Sequence, residues 1–196
     1  MATLEVRSND RILLTALRLF SSKGYDATSV REICEAAGIT KPTLYHFYGS
    51  KEGVYRALVD GTLEAFHANL VRDLEAKIPV QEKLRRVARG YFDNARQNRE
   101  LMRFILSLVH NPAGSAPRTD FPRFYGEMVA RIARCVEDGV ASGEFQSGAT
   151  DVRMLVFMGA LGESLCGNVL LGKPDLTPEL ADAIVASLLR GWGWNS

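Results

Sequence analysis

The chain has 196 residues and a mass of 21.6 kDa, with 46% apolar and 24% charged residues. That suits one medium domain, or a small module joined to a larger one, and a chain of this size buries a core without a disulfide or metal staple. With 24 Lys and Arg against 23 Asp and Glu the net charge is +1, which excludes wholesale electrostatic coating of nucleic acid or acidic membrane and leaves only local charge-driven contacts.

Taken in chain order, almost every segment reads as helix. From Ser8 to Lys23, the positions Ile12, Ala16, Leu19 and Phe20 follow the spacing of one buried helical face, and Gly24 stops the helix. Ser29 and Glu32 form a capping box for a short helix over Val30–Ala37, which Gly38 ends. Thr40 caps a third helix over Lys41–Tyr48, with Pro42 tolerated in its first turn. A long helix runs from Ser50 to about Ala76 and closes before Pro79. Further helices are expected near 80–97, 99–109, 122–142, 151–171 and 178–192, separated by breaks rich in Gly, Pro or Ser. Strand alternation and Asn-Gly or Asp-Gly hairpin signals are absent. The expected fold is all-α, with about nine helices.

Cys34, Cys135 and Cys166 are odd in number and far apart, which argues against a disulfide framework and for a reducing, cytoplasmic setting. Cys34 reads as a small buried hydrophobe and not a redox switch. The opening MATLEVRSNDR lacks the apolar region of a signal peptide. Apolar runs are broken by Gly, Arg or Glu short of the roughly 20 residues a bilayer span requires, so no membrane partner is expected.

Two short helices joined by the Gly-containing turn 37–40, after a longer supporting helix, describe a helix-turn-helix unit. Ile39 is expected between the helices, against Val30, Ile33, Leu44 and Phe20. Thr40, Lys41, Thr43, Tyr45 and His46 would be the exposed positions of the third helix. They carry hydrogen-bonding groups and one cation but no acid, which suits a major groove lined with acceptors and flanked by phosphates. Residues 1–51 hold seven basic and five acidic side chains, a small positive bias.

The stretch ATSVREICEAAGITKPTLYHFYGSKEGVYRAL, with AAGIT, LY and SKE at this spacing, resembles the DNA-binding domain of the tetracycline-repressor (TetR) family of bacterial transcription regulators. The resemblance covers residues 8–58; the rest of the chain fits in length and helicity alone. It implies a head over 1–51, a connecting helix, and a ligand-binding and dimerisation domain over 52–196. It also implies a homodimer that binds a palindromic double-stranded DNA operator and a small-molecule effector. Carried over to this chain, Thr28 and Ser29 fall where the family contacts phosphate. Thr40, Lys41, Pro42 and Thr43 fall on the reading helix, and Tyr45 and Lys51 at recurrent phosphate contacts. Where the family commonly has a variable residue, then His or Tyr, then Phe, this chain has His46, Phe47 and Tyr48. We expect His46 to face DNA.

In the C-terminal body, residues 151–171 and 178–192 present two wide apolar faces that suggest a four-helix dimer seam, with Leu155, Gly159, Gly162 and Cys166 on one and Ile184, Leu188 and Trp192 on the other. Candidate ligand-lining residues are Met102, Phe104, His110, Phe121, Phe124, Tyr125, Met128, Met154, Phe157, Met158 and Glu163, adaptable apolar groups with a few polar ones. Each is equally readable as plain core, and Glu163 as a residue of the dimer rim. His46, His67 and His110 are scattered, no metal-ligand spacing or nucleophile motif occurs, and neither a metal, a cofactor nor catalysis is expected. The expected function is a ligand-responsive repressor. A helical binding protein or enzyme with a disused head, or an activator, are the alternatives.

Overall fold

The computed structural model describes residues 8–110 and 116–191, and the side chains of all of these except Ser8 and residues 108–110. Among them are nine helices and no strand. They are α1 (Ser8–Lys23), α2 (Val30–Ala37), α3 (Lys41–Tyr48), α4 (Lys51–Glu75), α5 (Val80–Gln97), α6 (Arg99–His110), α7 (Phe121–Ala141), α8 (Thr150–Leu171) and α9 (Pro178–Gly191). Each agrees with the expected boundaries to within one or two residues.

The chain forms two compact units. The first comprises Met1–Glu64 with Arg103–Phe121, the second Ala65–Met102 with Pro122–Ser196. The first half of α4 and most of α6 belong to the first unit. Its core is apolar and aromatic. Ile12, Ala16, Ile33, Leu44, Val54 and Val59 are fully buried. Phe20, Tyr25, Tyr55 and Phe104 form a chain of edge-on and tilted ring contacts 5.1–5.5 Å apart. Phe104, a candidate ligand contact by sequence, is 1% exposed against Tyr55 and is core.

The second unit is built on α5, which packs on α9 and α8. Leu84, Ala88 and Phe92 meet the interior from α5, Ala181, Val185 and Leu189 from α9, and Phe157, Leu161 and Leu165 from α8, each at helical spacing. Arg89 of α5 grips Asp182 of α9 through two hydrogen bonds of 2.7 Å. The N-terminus of α5 follows Pro79, which offers no side-chain cap. Glu144 supplies one from a distance, accepting from Val80 N at 2.8 Å and Gln81 N at 3.4 Å. Its neighbour Phe145 tucks beneath α7 at Gly139, where a Cβ would stand 2.6 Å from the ring.

Helix α8 departs from expectation in one respect. It is long and apolar enough to cross a bilayer by length and composition, with a mean hydropathy of 1.6 over 18 residues. Gly159, Gly162 and Glu163 do not interrupt it, since an isolated glycine costs a helix only about 1 kcal/mol. Arg153, which sequence reading passed over, is 8% exposed and donates to the Gln146 carbonyl at 2.7 Å.

Replacing Glu144 with Ala removes the remote cap of α5. We expect a loss of about 1 kcal/mol in stability, measured by denaturant unfolding.

Candidate DNA-binding interface

The helix-turn-helix is held in shape by its caps. Ser29 Oγ accepts from Glu32 N at 3.2 Å, while Glu32 Oε2 accepts from the Ser29 amide and hydroxyl at 2.8 Å each. Lys23, in the last turn of α1, pairs with the same carboxylate. The Lys23 ammonium, then the Ser29 amide and hydroxyl, hold the Glu32 carboxyl down at about 2. At the other end of α2, Gly38 turns the chain with φ 63°, a left-handed conformation that costs an L residue about 1–2 kcal/mol. Its amide and that of Ile39 close on the Glu35 and Cys34 carbonyls. Cys34 is buried and its thiol is pushed up by burial, which suits a packing role.

Helix α3 begins at Thr40, whose hydroxyl lies 2.9 Å from that of Thr43 and accepts from the Thr43 amide. Of its eight residues, Leu44 alone is buried. Lys41, Pro42, Tyr45, His46 and Phe47 are exposed and Thr43 half-exposed, while no acid lies in the first turn. Leu44 anchors the helix, and Lys41, Thr43, Tyr45 and His46 offer hydrogen-bonding groups and a cation at its open side.

The order His46-Phe47-Tyr48 also resolves. Tyr48 takes the inward position, and its hydroxyl donates to the Asn9 carbonyl of α1 at 3.1 Å. Phe47 is 48% exposed, edge-on to His46 at 5.3 Å. The position that the family commonly gives to His or Tyr is therefore an exposed apolar ring.

Two residues expected to contact phosphate make internal hydrogen bonds in this structure. Thr28 is 1% exposed, and its hydroxyl donates to the Gly24 carbonyl at 2.8 Å, so it secures the turn before α2. Lys51, at the start of α4, points its ammonium inward. It donates to the Tyr25 and Thr28 carbonyls at 2.9 Å each and sits 4.0 Å from the centre of the Tyr25 ring. Ser29, Thr40, Lys41, Pro42, Tyr45 and His46 remain outward-facing.

Sequence reading missed Gly53 as a position fixed by close approach. A Cβ there would overlap the carbonyl oxygen of Tyr48, and the Gly53 amide donates to Ser50 Oγ at 2.9 Å. The sequence marked Ser50 as the start of the long helix, but nothing in it signalled backbone against backbone.

Of the remaining candidates, Met102, Met128, Met154 and Phe157 lie in the core at 1–5% exposure. Phe121, Phe124 and Met158 are half-buried. Tyr125 and Glu163 are exposed, which removes Glu163 from any interior pocket and places it on the outer side of α8. On that side Leu155 is 74% exposed, and a Cβ added at Gly159 or Gly162 would meet nothing within 4 Å. Cys166, Ile184 and Leu188 are half-buried. The side chains of His110 and Trp192 lie outside the described residues.

Lys41→Ala is expected to leave stability unchanged and to reduce the salt dependence of DNA binding by about one phosphate contact. Lys51→Ala is expected to cost about 1–3 kcal/mol of stability, seen as a lower melting temperature. Because the folded Glu32 carboxyl titrates at about 2 and the unfolded one at 4.5, its stabilising effect is complete above 4.5 and is lost as pH falls towards 2. Glu32→Gln should flatten that acid dependence in a pH-resolved unfolding series.

Residues 12–58 match the family described as bacterial regulatory proteins, tetR family. The transcriptional repressor ComR of Escherichia coli is 38% identical over 79 residues, which are 40% of this chain and 36% of its own length. The repressor KstR2 of Mycolicibacterium smegmatis is 26% identical over 138 residues, 70% of this chain and 67% of its own. This chain thus spans little more than a third of the length of the first curated relatives it matches. Among solved structures, the TetR family transcriptional regulator PfmR from Thermus thermophilus superimposes with a TM-score of 0.75 at 26% identity, covering 97% of both chains. Residues 12–58, from α1 into the first turns of α4, thus match the tetR family of bacterial regulatory proteins, and the order of helices is shared end to end with a solved member of that family.

Proposed function

We propose that the chain is a cytoplasmic, dimeric DNA-binding transcriptional regulator that represses from a palindromic operator and is released by a small apolar or amphipathic effector. The observation that carries this reading is α3, an eight-residue helix held by one buried leucine that turns Lys41, Tyr45 and His46 to solvent. The curated relatives are transcriptional regulators, and we read this chain as a regulator and not an enzyme. Among the described residues no group of three His, Cys, Asp or Glu side chains gathers where a metal would sit.

A second copy of the chain is the occupant we assign to the outer face of α8. Val152, Leu155, Leu170 and Leu171 are 53–82% exposed there. Such side chains on one helix mark an interaction surface, and Gly159 and Gly162 leave room for a close helix approach. A twofold dimer places two recognition helices one turn of DNA apart, about 34–36 Å. The effector acts by population shift, binding more tightly to the conformation whose spacing does not match DNA, with a coupling of about 1–3 kcal/mol. Helix α4, whose residues divide between the two units at 64 and 65, is the element through which we route that coupling.

Selection of random duplex DNA on the purified protein tests the reading. Enrichment of one palindrome with half-sites about 10 base pairs apart is expected; binding blind to sequence, or none, overturns it. Leu155→Glu should yield monomers in sedimentation with helicity intact, and should abolish selection of the palindrome.

A further inference from the structure

Within the second unit, four aromatic rings from α4, α5 and α7 meet edge to face. Phe66 and Tyr91 lie 6.1 Å apart at 89°, Phe66 and Phe124 6.2 Å apart at 74°, and His67 stands 6.3 Å from Phe124 at 66°. Each of these residues keeps part of its surface open. Yet Nε2 of His67 is sealed from solvent and has no hydrogen-bond partner among the described residues. A buried ring nitrogen left unpaired is costly, and its occurrence calls for a guest that completes it. Burial, and then the neighbouring Tyr125, push the Tyr91 hydroxyl up to about 12.

We propose that this cluster seats the effector, and that His67 Nε2 hydrogen-bonds a neutral oxygen of a small aromatic or alicyclic molecule, with the Tyr91 hydroxyl as the second polar point. The inference rests on the effector-responsive reading above and names the ligand class for it. The rings offer apolar edges and faces to a hydrocarbon body. The burial that raises the Tyr91 hydroxyl, together with the apolar rings of Phe66 and Phe124, penalises an anion in the same surroundings, which favours a phenol or a ketone over a carboxylate. Neutral imidazole serves either partner, as donor to a carbonyl or acceptor from a hydroxyl, according to its tautomer.

The test uses three matched probes, p-cresol, toluene and p-toluate, with binding to the full chain measured by calorimetry. We expect p-cresol to bind about three- to tenfold more tightly than toluene, the effect of one neutral hydrogen bond, and p-toluate to bind more weakly than p-cresol. His67→Phe keeps the ring volume and deletes the nitrogen; it should erase the p-cresol preference while toluene still binds. Tyr91→Phe should reduce that preference with an unchanged melting temperature. Equal binding of p-cresol and toluene means that water, and not a ligand, completes His67, and overturns the proposal. So does a preference that survives His67→Phe, or binding of none of the three probes. In any of those cases the DNA selection stands or fails by itself, so loss of this inference is distinguishable from loss of the regulator reading.

Discussion

Everything in the head depends on a lysine that turns inward. The Lys51 ammonium joins the Tyr25 and Thr28 carbonyls to the first turn of α4 and rests on the Tyr25 ring. Those two carbonyls belong to the turn that ends at the cap of α2, so the ammonium decides where α2 starts relative to α4. From there the order is set by local chemistry: the Ser29–Glu32 box, the left-handed Gly38, and the Thr40 cap of α3. A charged group with two carbonyl acceptors and an aromatic face is a stronger constraint than apolar contact alone, because it has direction. Helix α3 needs that direction, since Leu44 is its one buried side chain.

Much of this was legible in the sequence, for identifiable reasons. Caps and stops depend on one or two residues acting on their own backbone, so Ser29 with Glu32, Gly38 and Thr40 announce themselves. The spacing of Ile12, Ala16 and Phe20 likewise reports a face that the fold buries. What escaped were properties set by distant partners. Whether Lys51 reaches out to phosphate or in to a carbonyl depends on a turn 26 residues earlier, at Tyr25. Thr28 is buried because Gly24 offers its carbonyl, and Glu144 caps a helix that begins 64 residues before it. Arg153, buried in an apolar helix, left no periodic trace at all.

The second unit shows the same contrast for apolar residues. Met102, Met128, Met154 and Phe157 carry the same composition signal as a ligand pocket, yet each lies in packed core. The pattern of α8 was equally ambiguous. Its inward face is formed by Phe157, Leu161 and Leu165, of which Phe157 was expected to line a ligand site, and the outward row from Val152 to Leu171 looks no different in sequence from a core stripe. Hydrophobicity reports that a surface must be covered and does not say by what. The half-open ring cluster around Phe66 and Tyr91 is the converse case, since its signal is a polar atom without company and not an apolar run.

At the junction between α3 and α4, the Tyr48 carbonyl occupies the space where any side chain at Gly53 would begin. Two backbones in contact leave no lubricating layer of side chains between them, and so no slack to absorb a small rotation. The first turn of α4 and the last of α3 mesh like teeth. On the proposed reading, a movement entering along α4 would meet α3 at this joint, and a change of operator would fall to the outward side chains of α3, leaving the bearing that carries them untouched.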